Sequence, residues 1–337
     1  MKIAQRLFDS ELRYRKENSL TKIQNKIIHM LRRIIGIYCN PLVSYDFMGI
    51  NMLVPFRHHW PYDSKYNPEW SMCLGRAASV VSGKYPNAVM FDIGANIGDT
   101  CAIIRGHKVA NHIYAIEGVS IFFEILVKNA EKLGNIHPIK AFLSNESLNR
   151  SVHLKVLDSG NARVYLNSKL YGHDASRSTI SDIETVELSK LMLDLPASSN
   201  IKFLKTDVES MDMPILNAAI QVIKEHLPVI FFECHIANAH EAEHGIKFID
   251  FIKEMREIGY SRMMYWDCSC EYRFCFNLDD DEILHDFDAA YRNRKGKKYA
   301  DVCLFHYNDI DICEKLRLAE REHFISQRSI DWTESPN

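Results

Sequence analysis

The sequence lacks the features that define several common classes of protein. No run approaches the roughly 20 consecutive apolar residues that a membrane-spanning helix needs. No segment repeats at a fixed period and no long low-complexity tract occurs, which excludes solenoids and propellers. The N-terminus is polar and charged from its first residues, unlike a secretory signal, so we expect a cytoplasmic protein.

Cysteine pairs with metal-ligand spacing are also lacking. The nine cysteines are an odd number and are scattered along the chain. Their one cluster, formed by Cys268, Cys270 and Cys275, contains no Cys-x-x-Cys pair, which structural zinc sites usually show. The pattern favours free thiols in a reducing compartment.

Excess positive charge is confined to the N-terminus. Residues 1–36 hold nine Lys or Arg and three acidic residues, a net +6, which leaves −9 for residues 37–337 because the whole chain carries −3. An acidic body argues against a broad nucleic-acid surface, so we expect no nucleic-acid partner. Residues 19–36 have the spacing of an amphipathic helix with basic residues between the apolar ones. This helix is expected to pack on the main domain or on a partner subunit, with peripheral contact to anionic lipid as the alternative.

Short apolar runs alternate with helical stretches from residue 89 onwards. Because the runs are apolar throughout, they indicate a mostly parallel sheet with helices on both faces. The sequence therefore predicts an α/β, Rossmann-like, doubly wound fold with seven strands in its sheet. The predicted strands cover residues 88–93, 112–116, 136–141, 201–206, 228–233, 260–266 and 301–307.

Three regions flank or interrupt this pattern. Residues 1–84 are predicted to be an N-terminal helical and loop extension, in which residues 40–70, rich in Pro, His, Tyr and Trp, form a loop-and-turn segment. Residues 150–188 are predicted to be an antiparallel insertion within a main domain of residues 85–308. Residues 309–337 are predicted to form a C-terminal helix and tail, and no linker indicates a second independent domain.

An acidic residue and two glycines follow the first predicted strand. The segment Asp92-Ile93-Gly94-Ala95-Asn96-Ile97-Gly98 leads from this strand into a helix. Glycines allow a sharp turn and the close approach of a ligand, and the helix N-terminus directs N–H groups toward it. A dinucleotide fingerprint would read Gly-x-Gly-x-x-Gly, whereas the glycines here are four positions apart. Asp92 suits a cationic ligand, which it can bind directly or through water. S-adenosylmethionine (SAM) is such a ligand, since it carries an ammonium and a sulfonium and has no phosphate.

A second acidic residue, Glu117, ends the next predicted strand. A carboxylate at this position can accept hydrogen bonds from both ribose hydroxyls of a nucleoside. Because the carboxyl ends of parallel strands meet at one edge of a sheet, we expect the acids and glycines to converge there. The cofactor-binding residues predicted at this edge are Asp92, Gly94, Asn96, Gly98 and Glu117.

These segments together resemble the FkbM family of SAM-dependent O-methyltransferases. The resemblance covers roughly residues 85–240. It implies a class I methyltransferase fold, SAM as the cofactor, and a glycan or small-molecule hydroxyl as the acceptor, with surface-polysaccharide biosynthesis as the expected context. Ser144 lies in a loop where methyltransferases with this layout contact the adenine. The matching pieces are Phe91–Asp99, Ala115–Glu117, Ala141–Ser144, Phe203–Glu209 and Pro228–His235.

Two positions depart from the family pattern. Gly118 follows the ribose-binding acid where the family usually has Pro, and Ser210 follows the Asp-x-Glu triplet where it usually has Gly. The first change alters a turn and is expected to leave ribose binding intact. The second places a Cβ and a hydroxyl beside the expected reaction centre.

Methyl transfer to a hydroxyl requires an aligned acceptor and a base that takes its proton. Asp207, at the end of a strand, can hold the methionine ammonium or accept the proton, and His235 is a natural base near neutral pH. Lys205 can orient or balance charge, or form a structural ion pair with Glu209 or Glu233. We predict Asp207, His235, Lys205 and Glu209 as the catalytic residues, without a metal. A magnesium or manganese ion on Asp207, Glu209, Glu233 and His235 is an alternative.

Three other functions remain as alternatives. A nicotinamide-dependent oxidoreductase is disfavoured by the glycine spacing. An RNA methyltransferase predicts a basic face near the cleft, yet the body is acidic. A non-catalytic protein with the same fold predicts loss of the cofactor-binding set, which is intact here. Acceptor pockets usually come from loops, which here are residues 40–70, 150–188 and 266–300.

Overall fold

The computed structural model describes residues 2–17, 30–31, 34–35, 39–143, 149–156, 162–165, 179–192, 200–208, 211–237, 241, 245–292 and 299–331. Most of the helix predicted over residues 19–36 lies outside these ranges, as do Ser144, Glu209 and Ser210. Among the described helices, none combines the length and the hydropathy that a bilayer span requires.

The N-terminal region contains regular structure where a loop-and-turn segment was predicted. Helix α1 (Lys2–Glu17) is followed by a hairpin of β1 (Leu42–Phe47) and β2 (Ile50–Pro55) and by the short helix α2 (Trp60–Tyr66). The prediction of a connector over residues 40–70 is therefore wrong. Met48 and Gly49 both have positive φ, 52° and 80°, as a two-residue hairpin turn requires. Methionine at a position that usually takes Asn hid this turn in the sequence.

Helix α1 packs on the hairpin through polar and aromatic contacts. The Gln5 amide pairs with the backbone of Ser44, accepting from its N–H at 2.7 Å and donating to its carbonyl at 2.9 Å. Phe8 is fully buried against aromatic rings of the hairpin and of α2. The extension thus has a small core of its own that joins the main one.

The main domain begins after this extension. In chain order it contains α3 (Met72–Lys84), β3 (Val89–Ile93), α4 (Asp99–Gly106), β4 (Ile113–Glu117), α5 (Ser120–Leu133), β5 (Ile136–Lys140), β6 (Phe142–Leu143), β7 (Asn149–Val156), β8 (Ala162–Tyr165) and β9 (Thr179–Val186). There follow α6 (Leu188–Met192), β10 (Ile201–Thr206), α7 (Asp212–Ala218), α8 (Ile220–His226), β11 (Val229–Cys234), α9 (Phe248–Ile258), β12 (Tyr260–Asp267), β13 (Tyr272–Asn277), α10 (Asp281–Tyr291), β14 (Ala300–His306), a 3-10 turn (Tyr307–Asp309) and α11 (Ile310–Asp331).

The central sheet has the order β13-β12-β14-β11-β10-β3-β4-β5. The five strands from β11 to β5 are parallel, while β14 and β13 run against them. From β3 the chain moves outward through β4 to β5 and then returns to β10 on the other side of β3. The loops after β3 and β10 therefore diverge, and open α/β sheets bind their ligands at such a point.

The predicted fold class is confirmed, with one strand more than the seven predicted. The additional strand, β13, pairs antiparallel with β12 in a stretch expected to be a loop. Its apolar run is only three residues long, Phe274-Cys275-Phe276, and of the six residues of the strand only Phe276 is buried. The predicted antiparallel insertion is confirmed in the strands β7, β8 and β9, and β6 extends this sheet by a parallel pairing with β9. The helix predicted over residues 242–258 begins later, at Phe248.

Hydrophobic side chains cover both faces of the central sheet. One face packs against α3, α4, α5 and α11, and the other against α7, α8, α9 and α10. Each fully buried leucine or isoleucine contributes roughly 1.5–3 kcal/mol to the free energy of unfolding. Buried members of the first core include Leu74, Ile103, Leu126 and Leu316, and those of the second include Leu216, Ile223, Phe251 and Phe287.

Candidate active site

The turn between β3 and α4 contains backbone conformations that few residues adopt. The φ angle is 76° at Gly94, 48° at Asn96 and 89° at Gly98. A Cβ on Gly94 would lie 2.1 Å from the carbonyl oxygen of Asp207, so the turn packs directly on the loop after β10. Glycine at position 94 is thus required by the packing of two protein loops, whatever ligand binds beside them.

The carboxylate of Glu117 is fixed beside this turn. Its Oε2 accepts a hydrogen bond from the N–H of Asn96 at 2.9 Å, and its Oε1 accepts one from the N–H of Val119 at 2.7 Å. Burial raises the pKa of Glu117, and these two hydrogen bonds oppose that shift. Each oxygen has two lone pairs, so the carboxylate can still accept hydrogen bonds from a diol. We call residues 94–98 and Glu117 the turn end of the site.

Asp92 and Lys205 form a buried ion pair on adjacent strands. They are register partners in β3 and β10, and the Lys205 Nζ lies 2.8 Å from Asp92 Oδ1. Asp92 is 1% exposed and Lys205 3%. Thr100 donates a further hydrogen bond to Asp92, and the charge of Asp92 raises the pKa of Lys205 against the effect of burial. Lys205 was expected to pair with Glu209 or Glu233, and its described partner is Asp92.

The contacts of Asp92 bear on its predicted role. Its carboxylate is buried and is held by Lys205 and Thr100, so it lies beneath the turn. Its direct contact with a cationic ligand therefore stays a prediction. Lys205 also donates to the carbonyl of Gly94 at 3.2 Å, so this ion pair supports the turn from below.

Asp207 directly follows β10 and is open to solvent. Its side chain is 50% exposed, and its Oδ2 is 4.0 Å from Lys205 Nζ. The buried Asp212 accepts hydrogen bonds from the Thr206 hydroxyl at 3.0 Å and from the Val208 N–H at 3.3 Å. Asp212 therefore fixes the loop that carries Asp207. Burial raises the pKa of Asp212 well above its usual value.

Beyond Asp207, a second group of titratable side chains surrounds the end of β11. His235 Nε2 lies 3.3 Å from Glu233 Oε2, and its ring centroid is 5.5 Å from that of Tyr299. Asp301 of β14 is the register partner of Glu233. Burial and the negative charges of Glu233 and Asp207 raise the pKa of Asp301 well above its usual value. We call Asp207, Glu233, His235 and Asp301 the acid end of the site.

Strand register places the two ends on one face of the sheet. Side chains of register partners, and of residues two apart along a strand, point to the same face. A row of charged residues therefore crosses five adjacent strands. From β4 to β14 it consists of Glu117, Asp92, Lys205, Glu233 and Asp301.

This row fits a SAM molecule in extent and in charge. At about 4.8 Å between strands, β4 and β11 lie roughly 14 Å apart, which suits an extended nucleoside with a methionine tail. The charges of Asp92 and Lys205 offset each other, so the carboxylates of Glu117 and Glu233 give the row a negative balance, which suits the net positive charge of SAM. Within the part of the chain described, no three His, Cys, Asp or Glu side chains converge in a way that would hold a metal ion.

The departure at Gly118 has a structural reason. A Cβ on Gly118 would lie 2.4 Å from the ring of Phe142, so this ring occupies the space of a side chain at position 118. Phe142 is the first residue of β6, two positions after the end of β5, and its ring packs against the residue that follows Glu117. The ring is therefore an apolar surface next to the end of the strand that carries this carboxylate.

Three residues of the site were not predicted from the sequence. Asp301 was missed because it lies at the amino end of its strand, where no site residue was expected. Since β14 is antiparallel to β11, this amino end lies beside the carboxyl ends of the parallel strands. Asp99 is the first residue of α4, and burial raises its pKa to about 7. His58 precedes α2, and its Nε2 is 3.4 Å from Asn96 Oδ1. Only Asp99 had a detectable signal, because it directly follows the glycine turn.

Comparison with models of protein families assigns the chain to a family. The model of the methyltransferase FkbM domain matches residues 92–274, which is more than half of the 337 residues and runs from the carboxyl end of β3 to beyond β11. The chain belongs to the FkbM methyltransferase family. The resemblance found in the sequence is therefore confirmed, and the matched segment is a methyltransferase domain.

Solved structures of other methyltransferases are more distant. An FkbM methyltransferase from Methylobacillus flagellatus KT is 12% identical with a TM-score of 0.33, over 65% of this chain and 44% of that one. The chain thus matches less than half the length of that FkbM protein. The N-terminal domain of human METTL16 is 11% identical with a TM-score of 0.36, over 77% of this chain and 76% of that one.

Fibrillarin from Aeropyrum pernix, solved with natively bound SAM, is 9% identical with a TM-score of 0.32, over 79% of this chain and 83% of that one. At such TM-scores the likeness assigns no function. Comparison with curated protein sequences gives no significant match.

Proposed function

We propose that the protein transfers a methyl group from SAM to a hydroxyl of a glycan or a small polyhydroxylated acceptor. The observation that carries this proposal is the row of charged residues, with a diol-binding carboxylate at the turn end and a histidine–carboxylate pair at the acid end. Carboxylates accept hydrogen bonds from hydroxyls, so the acid end suits a sugar. A role in polysaccharide biosynthesis is part of this proposal.

At the turn end, Glu117 accepts hydrogen bonds from the ribose hydroxyls, and the Phe142 ring stacks on the adenine. Asp207 is the exposed acid nearest to Lys205, and in the proposal it receives the ammonium of the methionine moiety. Bound SAM supplies an electrophilic methyl group on a sulfonium. The turn of residues 94–98 holds the molecule extended along the row.

At the acid end, His235 is the proposed base. Its Nε2–H faces Glu233, which leaves Nδ1 as the basic nitrogen of the ring. His235 would take the hydroxyl proton as the acceptor oxygen bonds to the methyl carbon; the bond from this carbon to sulfur would break, and its electron pair would stay on sulfur to give the thioether product. The Glu233 carboxylate then stabilises the imidazolium that forms, as the carboxylate of a catalytic triad does. Asp301 accepts a hydrogen bond from a neighbouring acceptor hydroxyl.

Calorimetric titration with S-adenosylhomocysteine (SAH), the demethylated product of SAM, tests the turn end. We expect micromolar binding of SAH and none of NAD. The substitution Asp207→Asn is expected to weaken SAH binding about tenfold, which corresponds to the loss of one charged contact. Absence of SAH binding by the wild-type protein would contradict the proposal.

A methyl-transfer assay tests the acid end. The protein and SAM are incubated with a panel of methyl glycosides and with an RNA panel, and products are detected by the added methyl mass. We expect transfer to a sugar oxygen, with His235→Gln lowering kcat by about 10²–10⁴-fold and leaving the SAH dissociation constant unchanged. His226→Gln, at the end of α8, is the matched control. Transfer to RNA alone would overturn the assignment of the acceptor.

A further inference from the structure

The segment between β2 and α2 contacts the turn of residues 94–98, although it lies about 40 positions earlier in the chain. His58 in this segment is 3% exposed. Its Nε2 lies 3.4 Å from the side-chain oxygen of Asn96, and its Nδ1 lies 3.2 Å from the N–H of Trp60. His58 thus connects the N-terminal extension to the central residue of the turn.

The protonation state of His58 follows from these two contacts. The Trp60 N–H can only donate, so Nδ1 must be the acceptor and the ring proton lies on Nε2. The His58 Nε2–H then donates a hydrogen bond to Asn96 Oδ1. Burial lowers the pKa of His58 to about 4, so the ring is neutral at physiological pH.

Asn96 transmits this contact to the carboxylate that faces the nucleoside. Its backbone is left-handed, with a φ of 48°, and its N–H donates to Glu117 Oε2 at 2.9 Å. A non-glycine residue holds this conformation at some cost in free energy. A hydrogen bond to its side chain reduces the freedom of the turn and keeps the N–H directed at Glu117.

A second link joins the same two regions. The Asn129 side chain, which is fully buried, donates to the carbonyls of Leu53 and Ile97 at 2.9 and 2.8 Å, and it accepts from the Leu53 N–H at 2.8 Å. Strand β2 is therefore fixed to the turn through Asn129. The position of His58 over Asn96 is consequently set by the fold and does not depend on His58 alone.

We propose that His58 is a positioning residue for the cofactor site: its Nε2–H holds the Asn96 side chain, and Asn96 in turn holds Glu117. The N-terminal extension is then a part of the SAM site. This inference rests on the proposed function, because it assumes that the turn end binds the nucleoside. It predicts that changes at His58 alter cofactor affinity through hydrogen bonding and not through loss of folding.

Two conservative variants separate the two hydrogen bonds of His58. His58→Gln keeps a donor near the position of Nε2, and His58→Asn keeps an acceptor near the position of Nδ1. His59→Ala is the matched control, since it changes the neighbouring histidine, which is exposed. SAH binding is measured by calorimetry for each variant, together with the thermal midpoint of unfolding without ligand.

We expect the dissociation constant for SAH to rise about tenfold in His58→Asn and to stay within about threefold of the wild type in His58→Gln and His59→Ala. Wild-type affinity in a folded His58→Asn protein would overturn the inference. So would a loss of affinity in His58→Gln together with retention in His58→Asn, because the contact with Trp60 would then be the important one. Absence of SAH binding by the wild type would instead overturn the proposed function on which the inference rests.

Discussion

The turn end and the acid end of the cleft are built in different ways. At the turn end, the central contact joins the Asn96 N–H to Glu117, which are 21 positions apart, and it depends on left-handed backbone conformations. At the acid end, Glu233 and Asp301 come from strands far apart in the chain, and they meet only through antiparallel pairing. The first is a backbone arrangement with few alternatives, and the second is a set of side chains on regular strands.

This difference has a consequence for substitutions. A change at the turn end alters the path of the chain, so it should reduce both stability and cofactor binding. A change at the acid end replaces a side chain on an intact strand, so it should reduce turnover and leave the fold intact.

The largest effect is expected at the ion pair that underlies both ends. Lys205→Met would leave the Asp92 carboxylate buried without its cation, which destabilises a protein by about 3–5 kcal/mol. Lys202→Met, on the same strand but partly exposed, should cost about 1 kcal/mol or less. Chemical denaturation measures both. Adding Asp92→Asn to Lys205→Met should restore part of the lost stability, because no buried charge is then left without a partner. If Lys205→Met and Lys202→Met were equally stable, the ion pair would not support the site.

The next largest effect is expected at Gly94. Gly94→Ala places a Cβ against the Asp207 carbonyl and in a left-handed conformation, so we expect a loss of roughly 2–4 kcal/mol and at least tenfold weaker SAH binding. Gly49 is a matched control, because its φ is 80° and no atom lies within 4 Å of an added Cβ. Gly49→Ala should cost about 1–2 kcal/mol, with SAH binding unchanged. Equal effects on binding would show that the close packing of the two loops is unimportant.

The sequence was sufficient for most of the turn end and for the fold class. The spacing of Gly94 and Gly98 after an apolar strand, and Glu117 after the next, are local patterns whose meaning does not depend on the rest of the chain. The parallel strands were apolar throughout and therefore easy to locate. The family resemblance rested on these same segments.

The sequence was insufficient for contacts that depend on pairing over long distances. Asp301 was missed because nothing near it shows that its strand runs against its neighbour. The hairpin and His58 were missed because Met48 occupies a turn position where Asn is usual. The partner of Lys205 followed from the register of β3 and β10, which periodicity does not specify.

A smaller effect is expected from the protonation of Asp99. Its pKa is about 7 in the folded protein and near 4 when unfolded, because burial disfavours the charged form. Between these values the folded state binds more protons than the unfolded state, so stability falls as pH rises from about 4 to about 7. The slope is at most about 1.4 kcal/mol per pH unit and should be smaller, since Asp99 keeps some contact with solvent. The free energy of unfolding, measured by denaturation at several pH values, should change less with pH in Asp99→Asn than in the wild type. The same pH dependence in both proteins would contradict this.

The smallest effect is expected where the turn end meets a side chain instead of backbone. Gly118→Ala places a Cβ in the space of the Phe142 ring, which can move aside. We therefore expect SAH affinity to fall only about threefold, equivalent to about 0.7 kcal/mol, with little change in stability. In the double variant Gly118→Ala/Phe142→Ala the added Cβ meets no ring. Its SAH affinity should therefore equal that of Phe142→Ala alone. If Gly118→Ala weakened binding as much as Gly94→Ala, the turn end would be equally sensitive to side-chain and backbone contacts, and its contrast with the acid end would fail.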